Sequence, residues 1–221
     1  MKTIFHSVVA LSLGALGTSP IIAAGLSLEL HVDRQVYQQL SFQQSNPSLV
    51  NPVPYVNENR LGSRTTYGIR AGLELYQLQA WTFELTAGYE PKVATIITTN
   101  VYFQGNPYIG PFSANYDYHH ASAGLYTECK AVVTCGLGIE YRFESASSGV
   151  TSTQFGRPWL RANLGVPLKL FPVDTHIGIE GNLALTTRRF DPLRNPNAVF
   201  TDQLQAMAPK SQIGLFANFR F

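Results

Sequence analysis

Three groups of residues in this 221-residue chain carry side chains that can do chemistry. In His119-His120-Ala121-Ser122 an imidazole stands two residues from a hydroxyl. On a strand that spacing puts both groups on one face, and a base beside a hydroxyl is what an activated nucleophile requires. Glu144 is the carboxylate placed to orient the ring. The second group is a mixed-sign set: Glu29, Glu74, Glu84, Glu140 and Glu180 with Arg70, Arg142, Arg161 and Arg220. Paired carboxylates can serve as general acid and base. Opposite charges confined in a low-dielectric space must also pair or they are costly, so such a set is explained without any reaction. The third group is Cys129 and Cys135, a Cys-x5-Cys pair that is poor for zinc without two more ligands. No phosphate loop, nucleotide fingerprint or metal-ligand cluster occurs, so neither a cofactor nor a metal is expected.

The elements that position these groups follow from composition and period. Charged residues make up 14% of the chain and aromatics 12%, with 18 Gly and 13 Pro. Soluble domains average roughly 25% charged, and the net charge of +2 gives no field for nucleic acid. The chain is too apolar to be disordered and too poor in charge for an ordinary soluble enzyme.

Residues 1–24 have the layout of a secretory signal peptide: Lys2, an apolar run from Ile4 to Leu16, then Ala23 and Ala24 before Gly25. Cleavage is expected after Ala23 or Ala24, the alternative being an uncleaved anchor that is short for a span. This divides the chain into a leader, 1–24, and a body, 25–221. In an exported body, Cys129 and Cys135 are read as a disulfide, against the alternative of two free thiols in a turn.

The body alternates with period two, the mark of strands with one apolar and one polar face. Leu26, Leu28, Leu30 and Val32 open the pattern, and Tyr67 to Leu75, Trp81 to Tyr89 and Leu137 to Phe143 repeat it. It returns at Leu160 to Val166, Ile177 to Leu185 and Ile213 to Phe221. A weaker strand over 118–129 brings the expected number to eight. Pairing Cys129 with Cys135 places Leu125 opposite Ile139, Ser122 opposite Arg142 and His120 opposite Glu144. Short gaps near 76–80, 130–134 and 169–174 alternate with long ones near 34–63, 90–115, 145–157 and 188–210. Outer-membrane barrels distribute their turns and loops in this way. Residues 93–103 are read as a hairpin extension above the membrane. The polar face is rich in Gly and the apolar face carries Trp81, Tyr89, Phe143 and Phe221 near strand ends, so the apolar face is assigned to lipid.

The ending from Gln212 to Phe221, with Gly214, Phe219 and a terminal Phe221, is similar to the C-terminal targeting strand of small bacterial outer-membrane β-barrels of the OmpA/opacity-protein type. Ala217 departs from that pattern, where a larger apolar residue is usual. The resemblance implies signal-dependent export and insertion by the barrel-assembly machinery, and implies no one activity. The His-x-Ser pair with Glu144 resembles part of the site of lipid A 3-O-deacylases, but lies on lumen-facing parity, away from a lipid substrate.

The expected fold is therefore an all-β, eight-stranded antiparallel transmembrane β-barrel, an up-and-down meander in the bacterial outer membrane. The expected role is non-enzymatic: long extracellular loops serving structure, adhesion or ligand contact, with Tyr55, Tyr102, Phe103, Tyr108, Phe112 and Phe200 exposed. Its partners are the lipid bilayer, lipopolysaccharide and the assembly machinery, with an extracellular ligand at the loops and no nucleic acid. The alternatives are a lipid A-modifying hydrolase and a narrow, porin-like channel for small solutes.

Overall fold

A computed structural model describes residues 25–44, 55–103, 106–168, 173–187 and 200–221. The elements are β1 (Leu26–Tyr37), β2 (Leu40–Gln44), β3 (Tyr55–Leu61), β4 (Arg64–Leu78), β5 (Trp81–Phe103) and β6 (Asn106–Cys129). They continue with β7 (Thr134–Ser148), β8 (Thr151–Leu168), β9 (Asp174–Ala184), α1 (Phe200–Ala206) and β10 (Pro209–Arg220). All pairings are antiparallel, and β1 pairs with both β4 and β10 while β5 pairs with β6. Eight strands thus close into a ring in meander order, β1-β4-β5-β6-β7-β8-β9-β10. Among the described residues no helix is long and apolar enough to cross a membrane.

The two extra strands lengthen the wall and do not widen it. The register that sets Leu26 opposite Leu73 carries without slip to Leu40 opposite Asn59, so β2 continues β1 and β3 continues β4. β5 and β6 run 23 and 24 residues and pair as far as Phe103 opposite Asn106, which is the hairpin extension expected over 93–103. Three expectations about the long connections are corrected. Residues 55–61 are a strand, because they find a partner in the upper part of β5. The stretch 145–157 is mostly ladder, closed by a two-residue turn in which Gly149 adopts φ 59°. The last long connection carries a short helix, α1. The expected leader over 1–24 and residues 45–54 lie outside the described residues, as do the side chains of Tyr55 and Tyr108.

Side-chain polarity turns over along the strands. In the lower part the outward residues are apolar and exposed, among them Leu30, Ile69, Leu85, Leu125, Ile139, Leu164, Ile179 and Leu215. Trp81 and Tyr89 bracket this belt on β5. Eight residues apart, they span about 27 Å along a strand and ~20 Å in height at a tilt of about 40°, close to the apolar band of a barrel in a membrane. Above Tyr89, β5 carries Lys92 outward, ion-paired with Asp117 at 2.6 Å. On β6, moving up, outward Leu125 and Ala121 give way to Asp117 and Ser113, while inward Ser122 and His120 give way to Tyr118 and Tyr116. Above the belt the wall is therefore more polar outside, Ile96 and Phe112 excepted, and more apolar within.

The apolar upper core comprises Tyr37, Leu40, Leu61, Ile97, Tyr116, Tyr118, Ala146, Leu204, Met207 and their neighbours. Helix α1 seats Leu204 and, just beyond its end, Met207 into this core. Its seat is fixed by the Tyr116 hydroxyl, which donates to the Leu204 carbonyl at 3.1 Å, and by Gln205 Nε2, which donates to Thr153 Oγ1 at 2.6 Å.

Candidate functional site in the barrel interior

The inward positions of the belt carry the charge. Alternation sends Glu29, His31 and Asp33 of β1, Thr82 to Glu90 at even numbers on β5, and Arg157 to Arg161 at odd numbers on β8 into one narrow space. At its lower end Arg220 Nη2 donates to Glu128 Oε2 at 2.5 Å and lies 2.8 Å from Glu84 Oε1. In the middle, Arg70 and Arg161 each bridge Glu29 and Glu180; Arg161 Nε reaches Glu180 Oε2 at 2.5 Å. Above them Arg142 donates to Glu140 and Gln212, both at 2.5 Å, with its guanidinium 4.0 Å from the Trp159 ring centre. At the top of the belt Arg157 forks onto Glu144 at 2.7 and 3.0 Å, and Trp159 Nε1 donates to the same carboxylate at 2.8 Å. The pairs are buried and most are hydrogen-bonded, which is what opposite charges need in a low-dielectric space.

Eight of the nine expected network residues are buried here: Glu29, Arg70, Glu84, Glu140, Arg142, Arg161, Glu180 and Arg220. Glu74 is the exception; it is half-buried at the lower rim beside Gly25, near the end of its strand. Sequence reasoning missed Glu90, Glu128 and Arg157 as network members. All three share the inward parity of assigned neighbours, but the expected strands ended at Tyr89 and began at Leu160, short of two of them.

The expected register between β6 and β7 is present residue for residue, with Cys129 opposite Cys135, Ser122 opposite Arg142 and His120 opposite Glu144. Cys129 and Cys135 are directly opposed, with no bond between them in this structure. The contact expected between His120 and Glu144 is corrected. His120 and Glu144 face each other along the backbone, but their side chains go elsewhere. Glu144 is taken by Arg157 and Trp159, and His120 Nε2 lies 3.8 Å from Glu90 Oε1. His120, Ser122 and Glu144 are all buried, and no base–hydroxyl–carboxylate chain joins them.

A different constellation is brought together instead. His31 Nε2 lies 3.5 Å from Glu90 Oε1 and 3.9 Å from Asp33 Oδ2, and the three side chains are buried. His31 and Asp33 are neighbours by strand period, and Glu90 reaches them across β4 because Gly68 stands between with no side chain. The ligand atoms of this trio lie within 4.8 Å of one another, a spacing that could hold a metal ion. The signal was half visible: His31 and Asp33 are on the polar face of the first strand, whereas Glu90 lies beyond the expected end of its own.

An apolar belt outside, an ion-paired filling inside and short turns gathered at the end opposite the long connections define the class. The chain is a transmembrane β-barrel of the bacterial outer-membrane type. No family model and no curated protein matches the sequence. Among solved structures it is similar to Neisserial surface protein A, at 13% identity and a TM-score of 0.40, over 92% of this chain and 98% of that one. Ail, the attachment invasion locus protein of Yersinia pestis, is similar at 11% identity and a TM-score of 0.32, over 90% and 99%. The outer membrane protease OmpT of Escherichia coli is similar at 9% and 0.40, over 93% and 97%. Likenesses this distant leave the fold to rest on the chain's own register and surface.

On the outer wall, Ala217, the small residue in the final strand, borders an apolar groove of about 560 Å³ with Leu30, Val166, Ile177 and Leu215. Its lining is apolar apart from His31.

Proposed function

We propose that this protein is a non-enzymatic outer-membrane barrel whose role is carried by its upper rim. The rim stands clear of the membrane and presents the long connections to an extracellular ligand or to lipopolysaccharide. The single observation that carries the reading is the filled interior. Charged pairs occupy the belt, an apolar core occupies the extension, and α1 caps it. A barrel of ~8 strands has an interior only wide enough for side chains, and here they are present at every level. Among the described residues the interior is occupied by side chains, which disfavours the channel reading. A lipid A hydrolase would need His120, Ser122 and Glu144 connected and reachable from lipid; their burial and their other partners disfavour it.

The rest of the reading belongs with export. Residues 1–24 serve as a cleaved signal, the barrel-assembly machinery inserts the body, and Gly214, Phe219 and Phe221 of the last strand act in targeting. Mass spectrometry of protein from outer membranes should then find a chain beginning at Ala24 or Gly25. An epitope inserted at the Gly149-Val150 turn should be labelled on intact cells, while one at Gln79-Ala80 should not. Planar-bilayer recordings should show no steady conductance, and lipid A from expressing cells should keep its full mass. Stable open-pore currents, or a deacylated lipid A lost with Ser122→Ala, would replace this reading with the channel or the enzyme.

A further inference from the structure

The buried charges of the interior do not balance. Among the described residues, eight carboxylates (Glu29, Asp33, Glu84, Glu90, Glu128, Glu140, Glu144, Glu180) face six guanidiniums (Arg64, Arg70, Arg142, Arg157, Arg161, Arg220), an excess of two negative charges with the carboxylates ionised and His31, His120 and His176 neutral. Six of the carboxylates are ion-paired with arginine. The two that are not are Asp33 and Glu90, and both stand against His31. Asp33 is 1% exposed with neither oxygen in a hydrogen bond, and His31 is 4% exposed with neither ring nitrogen in one. Buried carboxylates without a cationic partner are costly, and a divalent cation at this point would supply the missing charge.

We propose that His31, Asp33 and Glu90 form a site for a divalent transition-metal cation of the zinc class inside the barrel. The donor set is one imidazole and two carboxylates, which suits zinc and leaves a fourth position open. A purely oxygen-loving cation such as magnesium would want more oxygens and keep its waters. Tetrahedral zinc with bonds of about 2.1 Å sets its ligand atoms roughly 3.4 Å apart. His31 Nε2 is 3.5 Å from Glu90 and 3.9 Å from Asp33, so small rotations close the site. Glu90 is already oriented by Gln35 and Gln212, whose amides donate to it at 2.9 and 3.1 Å, the outer support that metal ligands use. Space is cleared for the trio by two glycines: a Cβ at Gly68 would fall on the His31 ring, and one at Gly214 on Asp33 Oδ1. This site is independent of what the rim contacts.

The test uses the full barrel folded in detergent with zinc, freed of excess metal by gel filtration and assayed by atomic emission. Stoichiometric zinc is expected on the wild type, and magnesium offered instead should not be retained. His31→Ala and Asp33→Asn should lose the zinc, and His176→Ala and Cys129→Ser should keep it. Each variant is first checked for the mobility change on boiling that marks a folded barrel. Should a ligand variant fail to fold, cobalt(II) on the wild type decides alone. Visible d–d bands without a sulfur charge-transfer band support the site. A sulfur band, no cobalt uptake, or a wild type that retains no zinc overturns it, as does a folded His31→Ala that retains zinc like the wild type.

Discussion

The belt is a ring of eight strands and the extension rises from it on β2, β3 and the upper parts of β5 to β8, yet their insides are opposites. Within the belt, Arg161, Glu180, Arg142 and Trp159 fill the interior and Leu164, Ile179 and Tyr141 face out; above it, Tyr116, Tyr118, Leu204 and Met207 fill the interior and Lys92, Ser113 and Ser152 face out. Strand geometry is common to both, so the medium outside the wall sets the pattern. Where the exterior is lipid, apolar residues outside cost nothing, and the interior is left to whatever fills it and pairs. Where the exterior is water, burying an aliphatic or aromatic side chain is worth about 1.5–3 kcal/mol, and the core moves inside. The belt network is then a largely ion-paired filling whose members are costly to remove singly. The extension is a small conventional core resting on top of it.

The largest effect should come from removing one arginine of the central bridge. Arg161→Ala leaves Glu29 and Glu180 sharing Arg70 alone, in a dry space. Breaking one partner of a buried pair costs about 3–5 kcal/mol, and urea unfolding of the barrel in vesicles should register a loss of that size. A loss under ~1 kcal/mol would mean that water fills the belt, and the contrast between the two interiors would fail.

Next comes the wall itself. Ile139→Arg places a charge on the outward face in mid-belt, where the expected cost is about 2–4 kcal/mol. Ser152→Arg places the same side chain on the outward face of the extension, where the cost should be near zero. Equal costs at the two heights would move the membrane boundary away from the level of Tyr89. Leu204→Ala tests the upper core. Truncating a fully buried Leu costs about 2–5 kcal/mol where the fold is one cooperative unit. Here hydrogen exchange should rise in α1 and in the upper halves of β7 and β8, while the belt amides and the boiling shift stay as in the wild type.

How much of this was legible in the sequence follows from the same contrast. The belt strands have clean alternation because lipid and lumen demand opposite residue types, so the ring, the inward Glu/Arg set and even the register from Cys129 to Glu144 could be read. The extension is harder to read because its polarity is reversed. At Pro91 the β5 register shifts between Glu90 and Val93, and inward parity passes from even numbers to Ile97. A reading that follows apolar residues on the outward face stops at Tyr89, loses Glu90, and treats 145–157 as loop. Strand β3 was hidden for another reason: Asn57, Glu58 and Asn59 look like turn residues until β5 is long enough to pair with them. The His31–Asp33–Glu90 trio needs three strands in register, which no local pattern encodes. The sulfur bond was read from compartment chemistry, and the register it rested on holds without the bond.

The smallest effect is the sharpest control. Lys92–Asp117 at 2.6 Å and Arg161–Glu180 at 2.5 Å are both short contacts of opposite charge, on opposite sides of the boundary. Lys92 is 56% exposed at its side chain and Asp117 22%, whereas the belt pair is 3% and 0% exposed. Exposed pairs contribute about 0–1 kcal/mol and are screened by salt over a Debye length of ~8 Å at physiological ionic strength. A double-mutant cycle of Lys92→Ala and Asp117→Ala should therefore give a coupling below ~1 kcal/mol that shrinks further in molar salt. The cycle on Arg161 and Glu180 should give a larger coupling that salt leaves alone. If the rim pair behaved like the belt pair, the rim would lie in a dry environment. Lys92 would then belong to the membrane, and the boundary between the two interiors would have to be redrawn above it.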